Sequence, residues 1–261
     1  MTDNKDILVL AEYKNKELAP VSAEVIGAGR KLADELGVKL NAVLIGSGVS
    51  SRGAAVVSLG ADKVYTIDNP LLENYQADSF LAVMVKLTAE INPAIIILGQ
   101  TTIGRDLTAK LAFRLKTAAV LDCIKLVIDK DSNRLLATRP VYGGNALADV
   151  MIDSNPQVAA IRAKAFAPAE ADSSRQGEIV SFNADIDIAT NRTKLLDKVV
   201  KEVEGIAIED ARVVVGGGRG IGSVEGFKEL EELAALLGGA VGASRPPCDN
   251  GWAAETLQIG I

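Results

Sequence analysis

The stretch Ile7-Leu8-Val9-Leu10-Ala11 (ILVLA) decides how the chain is read, because an unbroken apolar run of this length is a strand covered on both faces. Half-exposed strands alternate apolar and polar residues; continuous runs belong to parallel sheets buried between helices. The sequence outward from it keeps that rhythm. Val25, Ile26, Leu32, Ala33 and Leu36 recur at helical spacing, with Ser22 as the expected cap and Gly37 as the stop. A strand is predicted over 40–45, a turn at Gly46 and Gly48, a short helix over 52–59 and a strand over 63–67. A long helix over 77–91 ends at Asn92-Pro93, a strand covers 94–98, and a helix covers 104–115. Strands alternating with helices through short connections make βαβ units, so this half is an α/β domain on a parallel sheet.

Beyond residue 115 the pattern changes. Residues 123–128, 134–140, 146–152 and 158–161 are short β-type stretches separated by the turns Asp131-Ser132-Asn133 and Gly143-Gly144-Asn145. They read as antiparallel additions that finish the first domain. Residues 166–177 form an exposed excursion, and 178–188 another extended segment. A second domain is expected from residue 191: a charged helix over 194–203, a buried strand over 211–215, a periodic helix over 224–237 and a strand over 240–243. The division is therefore 1–190 and 191–261. The second part is again β-loop-α-β, about half of a doubly wound domain, so it is expected to be an incomplete Rossmann-like unit.

Composition removes whole classes of activity. The 261 residues contain no histidine, which excludes imidazole acid–base catalysis, Ser-His-Asp triads and His-ligated metals within this chain. Lys+Arg total 28 against 34 Asp+Glu, a net charge of −6, which argues against a nucleic-acid-binding surface. Cys123 and Cys248 stand far apart and outside any CxxC pair, so two reduced, buried thiols are expected. The mean hydropathy of +0.21 comes from evenly spread aliphatic residues, and no pure apolar run exceeds six residues; AIIIL at 94–98 is a strand's length, far short of a membrane span. The N-terminal residues enter the first strand at once, so a cytoplasmic protein without a targeting segment is expected.

Four segments carry polar groups where α/β folds bind ligands. Gly216-Gly-Gly-Arg219-Gly-Ile-Gly-Ser223 lies between a strand and a helix, where free amides and the helix dipole hold phosphates. Its spacing matches neither GxGxxG nor GxxxxGK[ST], and a sharp turn explains the glycines equally well; Arg219 inside the turn favours an anion. Ala243-Ser244-Arg245-Pro246-Pro247 follows the next strand, at the edge that lines an α/β crevice. Thr101-Thr102-Ile103-Gly104-Arg105-Asp106 is most simply a helix cap with a surface ion pair, and Thr138-Arg139-Pro140-Val141-Tyr142-Gly143-Gly144-Asn145 a hairpin turn. Asp249 and Glu255 do not form an acid–base pair, and no nucleophile stands beside a base.

These four segments, TTIGRD, TRPVYGGN, VVGGGRGIGS and above all GASRPPCDNGW followed by QIG, occur in the order and spacing of the electron transfer flavoprotein α subunits. The resemblance runs from Ile7 to Gly260. It implies a heterodimer with a β subunit, FAD in the C-terminal domain, and an N-terminal domain of nucleotide-binding ancestry without a cofactor, packed against β. Carried across by position, Arg219 lies at the edge of the FAD site, Ser244 and Arg245 touch the FAD, and Gln258, Ile259 and Gly260 begin a stretch that approaches the flavin. A fixed cation such as Arg245 beside the ring favours reduced, anionic flavin over the neutral oxidised form and raises its potential.

The family pattern continues past QIG with further FAD contacts, including a histidine, so the FAD site is expected to be incomplete within these residues. The role implied is that of an electron carrier, taking electrons from acyl-CoA dehydrogenase-type donors, as in fatty-acid β-oxidation, to a quinone-linked or other redox acceptor. Bifurcation among NADH, ferredoxin and an acyl-CoA dehydrogenase is an alternative, as is a flavin-free interaction module. A nicotinamide-dependent dehydrogenase requires GxGxxG after the first strand, where Tyr13-Lys14-Asn15-Lys16 stands instead.

Overall fold

The computed structural model describes residues 5–14, 16–186, 191–197, 206–208 and 211–260, and they divide into two units, Met1–Leu195 and Leu196–Ile261. The first is built on β1 (Ile7–Ala11), β4 (Leu40–Gly46), β5 (Lys63–Asp68), β6 (Ile95–Gly99), β7 (Ala119–Cys123), β11 (Gln157–Ile161) and β12 (Glu178–Ser181). They form one seven-stranded sheet in the order β12-β5-β4-β1-β6-β11-β7, every pair parallel. A small antiparallel pair, β2 (Tyr13–Lys14) and β3 (Glu17–Leu18), links β1 to the first helix.

Strand alternation explains why ILVLA needs no polar residue. Ile7, Val9 and Ala11 point to one layer with α1 (Val21–Leu36) and α2 (Gly53–Ser58); Leu8 and Leu10 point to the other with α3 (Ala77–Ile91) and α4 (Thr102–Arg114). Both layers are apolar, so each side chain is withdrawn from water, worth roughly 1.5–3 kcal/mol for a fully buried aliphatic.

Several expectations are corrected here. Ser22 does not cap α1: the helix starts at Val21 after Pro20, and the Ser22 hydroxyl donates to the Glu12 carbonyl at 3.0 Å, closing the end of β1. Gly37 does end it, in the left-handed region at φ 66°. Helix α4 begins at Thr102, because Thr101 Oγ1 accepts the Gly104 amide at 2.9 Å. The stretch 123–128 is two strands. Cys123 ends β7 in the parallel sheet, and β8 (Lys125–Ile128) joins β9 (Leu135–Val141) and β10 (Ala146–Met151) in a separate antiparallel sheet ordered β10-β9-β8. Residues 158–161 are likewise no antiparallel addition: β11 is fully buried and parallel between β6 and β7. The antiparallel sheet is thus an insertion within a crossover. In the segment 178–188 only Glu178–Ser181 is strand, and its last two residues lie outside the described ones. Of 194–203, residues 194–197 have no regular structure and the rest lie outside the described residues.

Asp62 ties this unit together. Its carboxylate accepts the Leu40 amide at 2.8 Å, Arg30 Nη1 at 2.7 Å and Arg175 Nη2 at 2.8 Å. Burial pushes the carboxyl up, but the Leu40 amide and the guanidiniums outweigh it and hold it below the usual carboxylate range. A depressed folded-state pKa stabilises above the unfolded value near ~4 and loses that contribution as pH falls through the folded one. Asp62→Asn is expected to destabilise the chain by about 2 kcal/mol at neutral pH, with the difference shrinking below about pH 4. Urea unfolding of both proteins across that range checks it.

The second unit has β13 (Val214–Gly217) parallel to β14 (Ala240–Ala243), α5 (Val224–Leu236) across one face, and the short α6 (Arg245–Asp249). Gln258 bridges Ala243 in parallel, extending the pairing beyond β14. The strand expected as buried over 211–215 is shifted and half open: Val213 and Val214 are each 39% exposed. The reason is one-sided cover. Val215 joins Phe227, Leu230, Val241 and Ala243 under α5, whereas Val214 points to the opposite face. Both cysteines are free and buried, and burial pushes the Cys123 thiol up to about 12.

Candidate functional site

Open α/β sheets bind ligands outside the carboxyl ends of their strands, where the strand order switches direction. In the first unit that point lies between β1 and β6, and the chain fills it itself. The Glu12 side chain follows β1, is only 8% exposed, and accepts the Thr101 hydroxyl at 2.6 Å. Burial pushes its carboxyl up, against the downward pull of Thr101 and Lys14. In the TTIGRD segment Asp106 is engaged by Lys110 and by the Tyr75 hydroxyl, each at 2.6 Å. These contacts account for the segment as a cap with an ion pair, Asp106 pairing with Lys110 rather than with Arg105. The TRPVYGGN segment is the β9–β10 turn.

The second unit presents its carboxyl edge differently. β13 runs out through Gly216 and Gly217 into a 3-10 turn at Arg219–Ile221, and Ser223 Oγ then caps α5 by accepting the Gly226 amide at 3.2 Å. The helix therefore starts beside the strand end, with the positive end of its dipole at this edge. Gly217 is required by packing: a Cβ there would lie 2.8 Å from the Phe227 ring. Gly220 has open space around it, so the turn's backbone stays accessible.

Ser244 arrives beside this turn. Its amide donates to the Gly217 carbonyl at 2.9 Å, and its Oγ lies 3.7 Å from where a Gly218 Cβ would stand. As the residue before α6 it makes no side-chain cap bond, so its hydroxyl is left for other partners. Arg245 is exposed, and its Nε lies 3.2 Å from Asp249 Oδ2 one helical turn on. Arg219 is exposed and, among the described residues, makes no ion pair.

The third contribution is Gln258, Ile259 and Gly260. The Ile259 amide donates to the Ala243 carbonyl at 2.7 Å, which carries this segment along β14 to the same edge. The Ile259 side chain lies on the sheet face, over positions where Gly216 and Gly242 lack a Cβ. Its contribution to the edge is therefore main chain. Gln258 Nε2 donates to the Gly260 carbonyl at 3.1 Å, and Gly260 turns at φ 86°.

All six singled-out positions, Arg219, Ser244, Arg245, Gln258, Ile259 and Gly260, thus belong to the three segments converging on one edge. Sequence reading missed the Arg245–Asp249 pair, whose i,i+4 spacing is a signal only once α6 is recognised. Open amides, a helix N-terminus, a free hydroxyl and two guanidiniums suit a phosphate-bearing aromatic cofactor. The set contains no nucleophile–base pair, so it suits holding and electronic tuning rather than proton or acyl transfer.

Comparison with known proteins agrees on both units. Residues 7–187 match the electron transfer flavoprotein domain, and residues 207–261 match the electron transfer flavoprotein FAD-binding domain. The electron transfer flavoprotein subunit alpha of Thermoanaerobacterium thermosaccharolyticum is 43% identical over 262 aligned positions, covering 100% of this chain and 79% of the relative. That of Megasphaera elsdenii is 40% identical over 100% of this chain and 78% of the relative. Protein FixB of Rhizobium meliloti is 36% identical over 99% and 74%. FAD is accordingly the cofactor whose domain the converging segments belong to, and electron transfer is the role the relatives' names carry. On this match along both units, the chain belongs to the electron transfer flavoprotein α-subunit family.

Proposed function

We propose that this chain is the α half of a cytoplasmic αβ electron carrier, passing electrons from acyl-CoA dehydrogenase-type donors to a quinone-linked acceptor. The observation that carries this reading is the convergence of the glycine turn, Ser244-Arg245 and 258–260 on one strand edge beside the start of α5. FAD supplies the redox chemistry there. The polypeptide's share is to hold and bias it: the turn amides and Ser244 take polar groups of the cofactor, while Arg219 and Arg245 supply fixed positive charge. Residues 1–190 serve as the platform that packs with β, and 191–261 as the cofactor-binding part. No helix among the described residues is long and apolar enough to cross a membrane, which suits a carrier that moves between partners.

Co-expression with the β subunit tests this. A heterodimer that retains FAD and is bleached by an acyl-CoA dehydrogenase with its substrate is the expected result. A flavin-loaded heterodimer reduced by NADH but inert toward acyl-CoA dehydrogenases would replace the assigned donor. A stable monomer that forms no complex with β would overturn the reading.

A further inference from the structure

The third residue of β13 and the third residue of β14 are both glycine, Gly216 and Gly242, and the parallel register sets the two side by side. Strand alternation turns Val215, Val241 and Ala243 under α5 and leaves the two glycines on the other face of the sheet, with Val214. Glycine weakens the interior of a strand, so a pair of them in register marks a place where something must come close to the sheet.

Ile259 is what comes close. A Cβ on Gly242 would lie 2.8 Å from Ile259 Cδ1 and 2.9 Å from its Cγ2, and a Cβ on Gly216 would lie 3.3 Å from the same Cδ1. The absent methyls leave a hollow two strands wide, walled by Val214, whose Cγ1 is 3.1 Å from the Gly242 position. Ile259 branches at Cβ, so Cγ2 cannot swing clear unless χ1 leaves its preferred rotamer. The side chain in the hollow is therefore rigidly coupled to the main chain that carries it. That main chain meets β14 only briefly, where the Ile259 amide donates to the Ala243 carbonyl at 2.7 Å and Gln258 bridges Ala243. So short a pairing leaves the segment free to pivot, and a seated side chain removes that freedom.

We propose that Gly216 and Gly242 form a socket for Ile259, and that this fit makes Ile259 a positioning residue, fixing where the main chain of 258–260 stands at the cofactor edge. The proposal rests on the flavoprotein reading above. The isoleucine side chain has no contact with the cofactor in this role. It acts through the amides and carbonyls on either side of it.

The test uses the αβ heterodimer. Hydrogen exchange of the Ile259 amide reports the socket, and FAD titration with a redox titration reports its consequence. Gly242→Ala is expected to speed exchange of that amide and to weaken FAD retention, each at least ~tenfold. Gly216→Ala, whose methyl meets only the tip of Ile259, is expected to give a smaller change in the same direction. Ile259→Ala empties the socket and also loosens the segment. In Gly242→Ala/Ile259→Ala the new methyl takes up space the isoleucine gave up, so both quantities are expected to return toward the parent's. At saturating FAD the potential of Gly242→Ala is expected to differ from the parent's and to recover in the double variant, which a loss of folded protein alone would not produce. If Ile259 exchange is unchanged in Gly242→Ala, or if the losses of the two single variants simply add in the double, there is no socket. Faster exchange with an unchanged FAD dissociation constant and potential would show a seated segment without bearing on the cofactor, which overturns the positioning role and leaves the flavoprotein reading intact. A parent heterodimer that binds no FAD fails that reading, and this proposal falls with it.

Discussion

Gly104→Ala is expected to destabilise the first unit by about 3 kcal/mol or more, enough to leave much of the protein unfolded at moderate temperature. Helix propensity predicts the opposite sign, since alanine inside a helix is favoured over glycine by roughly 0.5–1 kcal/mol. Packing decides against it. A Cβ on Gly104 collides with the Gly99 carbonyl oxygen and lies 3.0 Å from its carbon, with Glu12 Oε1 at 3.3 Å. Gly99 cannot yield, because β6 is held between β1 and β11 in the middle of the sheet. The helix must lift instead, which loosens Leu107 and Leu111, both at 0% exposure, and disturbs the Thr101 cap. Gly37 offers the contrast: it sits at φ 66° with no neighbour within reach of a Cβ, so alanine there meets only backbone strain, about 1 kcal/mol. Urea unfolding of the two variants separates the mechanisms. A Gly104→Ala protein within about 1 kcal/mol of the parent would show that the close approach of α4 to β6 is not what the glycine serves.

The α/β alternation was legible wherever one element determined its own neighbours. Ile7–Ala11 and Ala77–Ile91 have in the structure the bounds their patterns predict, because burial on both faces and amphipathic spacing are local signals. Pairing partners are not local. Residues 158–161 read as one more short strand after three others, and nothing in them reveals that the intervening three-stranded sheet is an insertion and that the chain returns to the parallel sheet between β6 and β7. Ser22 failed as a cap for a similar reason: its hydroxyl serves Glu12, at the end of a different element. The site followed the same division. The glycine turn and Ser244-Arg245 stood out as strand-to-helix junctions, and their juxtaposition follows from β13 and β14 being parallel neighbours. Whether a given strand edge is open is invisible in sequence. Glu12 reads as an ordinary residue after β1, and only the fold shows its carboxylate occupying that crevice with Thr101.

In the FAD-loaded heterodimer, Arg219→Ala/Arg245→Ala is expected to weaken FAD retention by about two orders of magnitude and to lower the flavin's potential. Each charge-assisted contact contributes roughly 1.5–3 kcal/mol where solvent is excluded, and two of them at the low end already reach a hundredfold. The potential falls because reduction adds negative charge beside a cation that is no longer there, about 60 mV for each ~1.4 kcal/mol of lost stabilisation in a one-electron step. The two guanidiniums are separable. Arg219 sits in the turn and, among the described residues, has no ion-pair partner, so its single variant should act mainly on affinity. Arg245 is shared with Asp249 at 3.2 Å, so Asp249→Asn frees its charge and should move the potential upward, opposite to Arg245→Ala. Arg245→Lys keeps the charge but not the planar fork, and should recover more of the potential than of the affinity. Fluorescence titration of FAD and a spectroelectrochemical redox titration read the two quantities independently. An unchanged dissociation constant and potential in the double variant would remove both arginines from the cofactor site, while a shift in affinity alone would keep them as anchors and withdraw their electronic role.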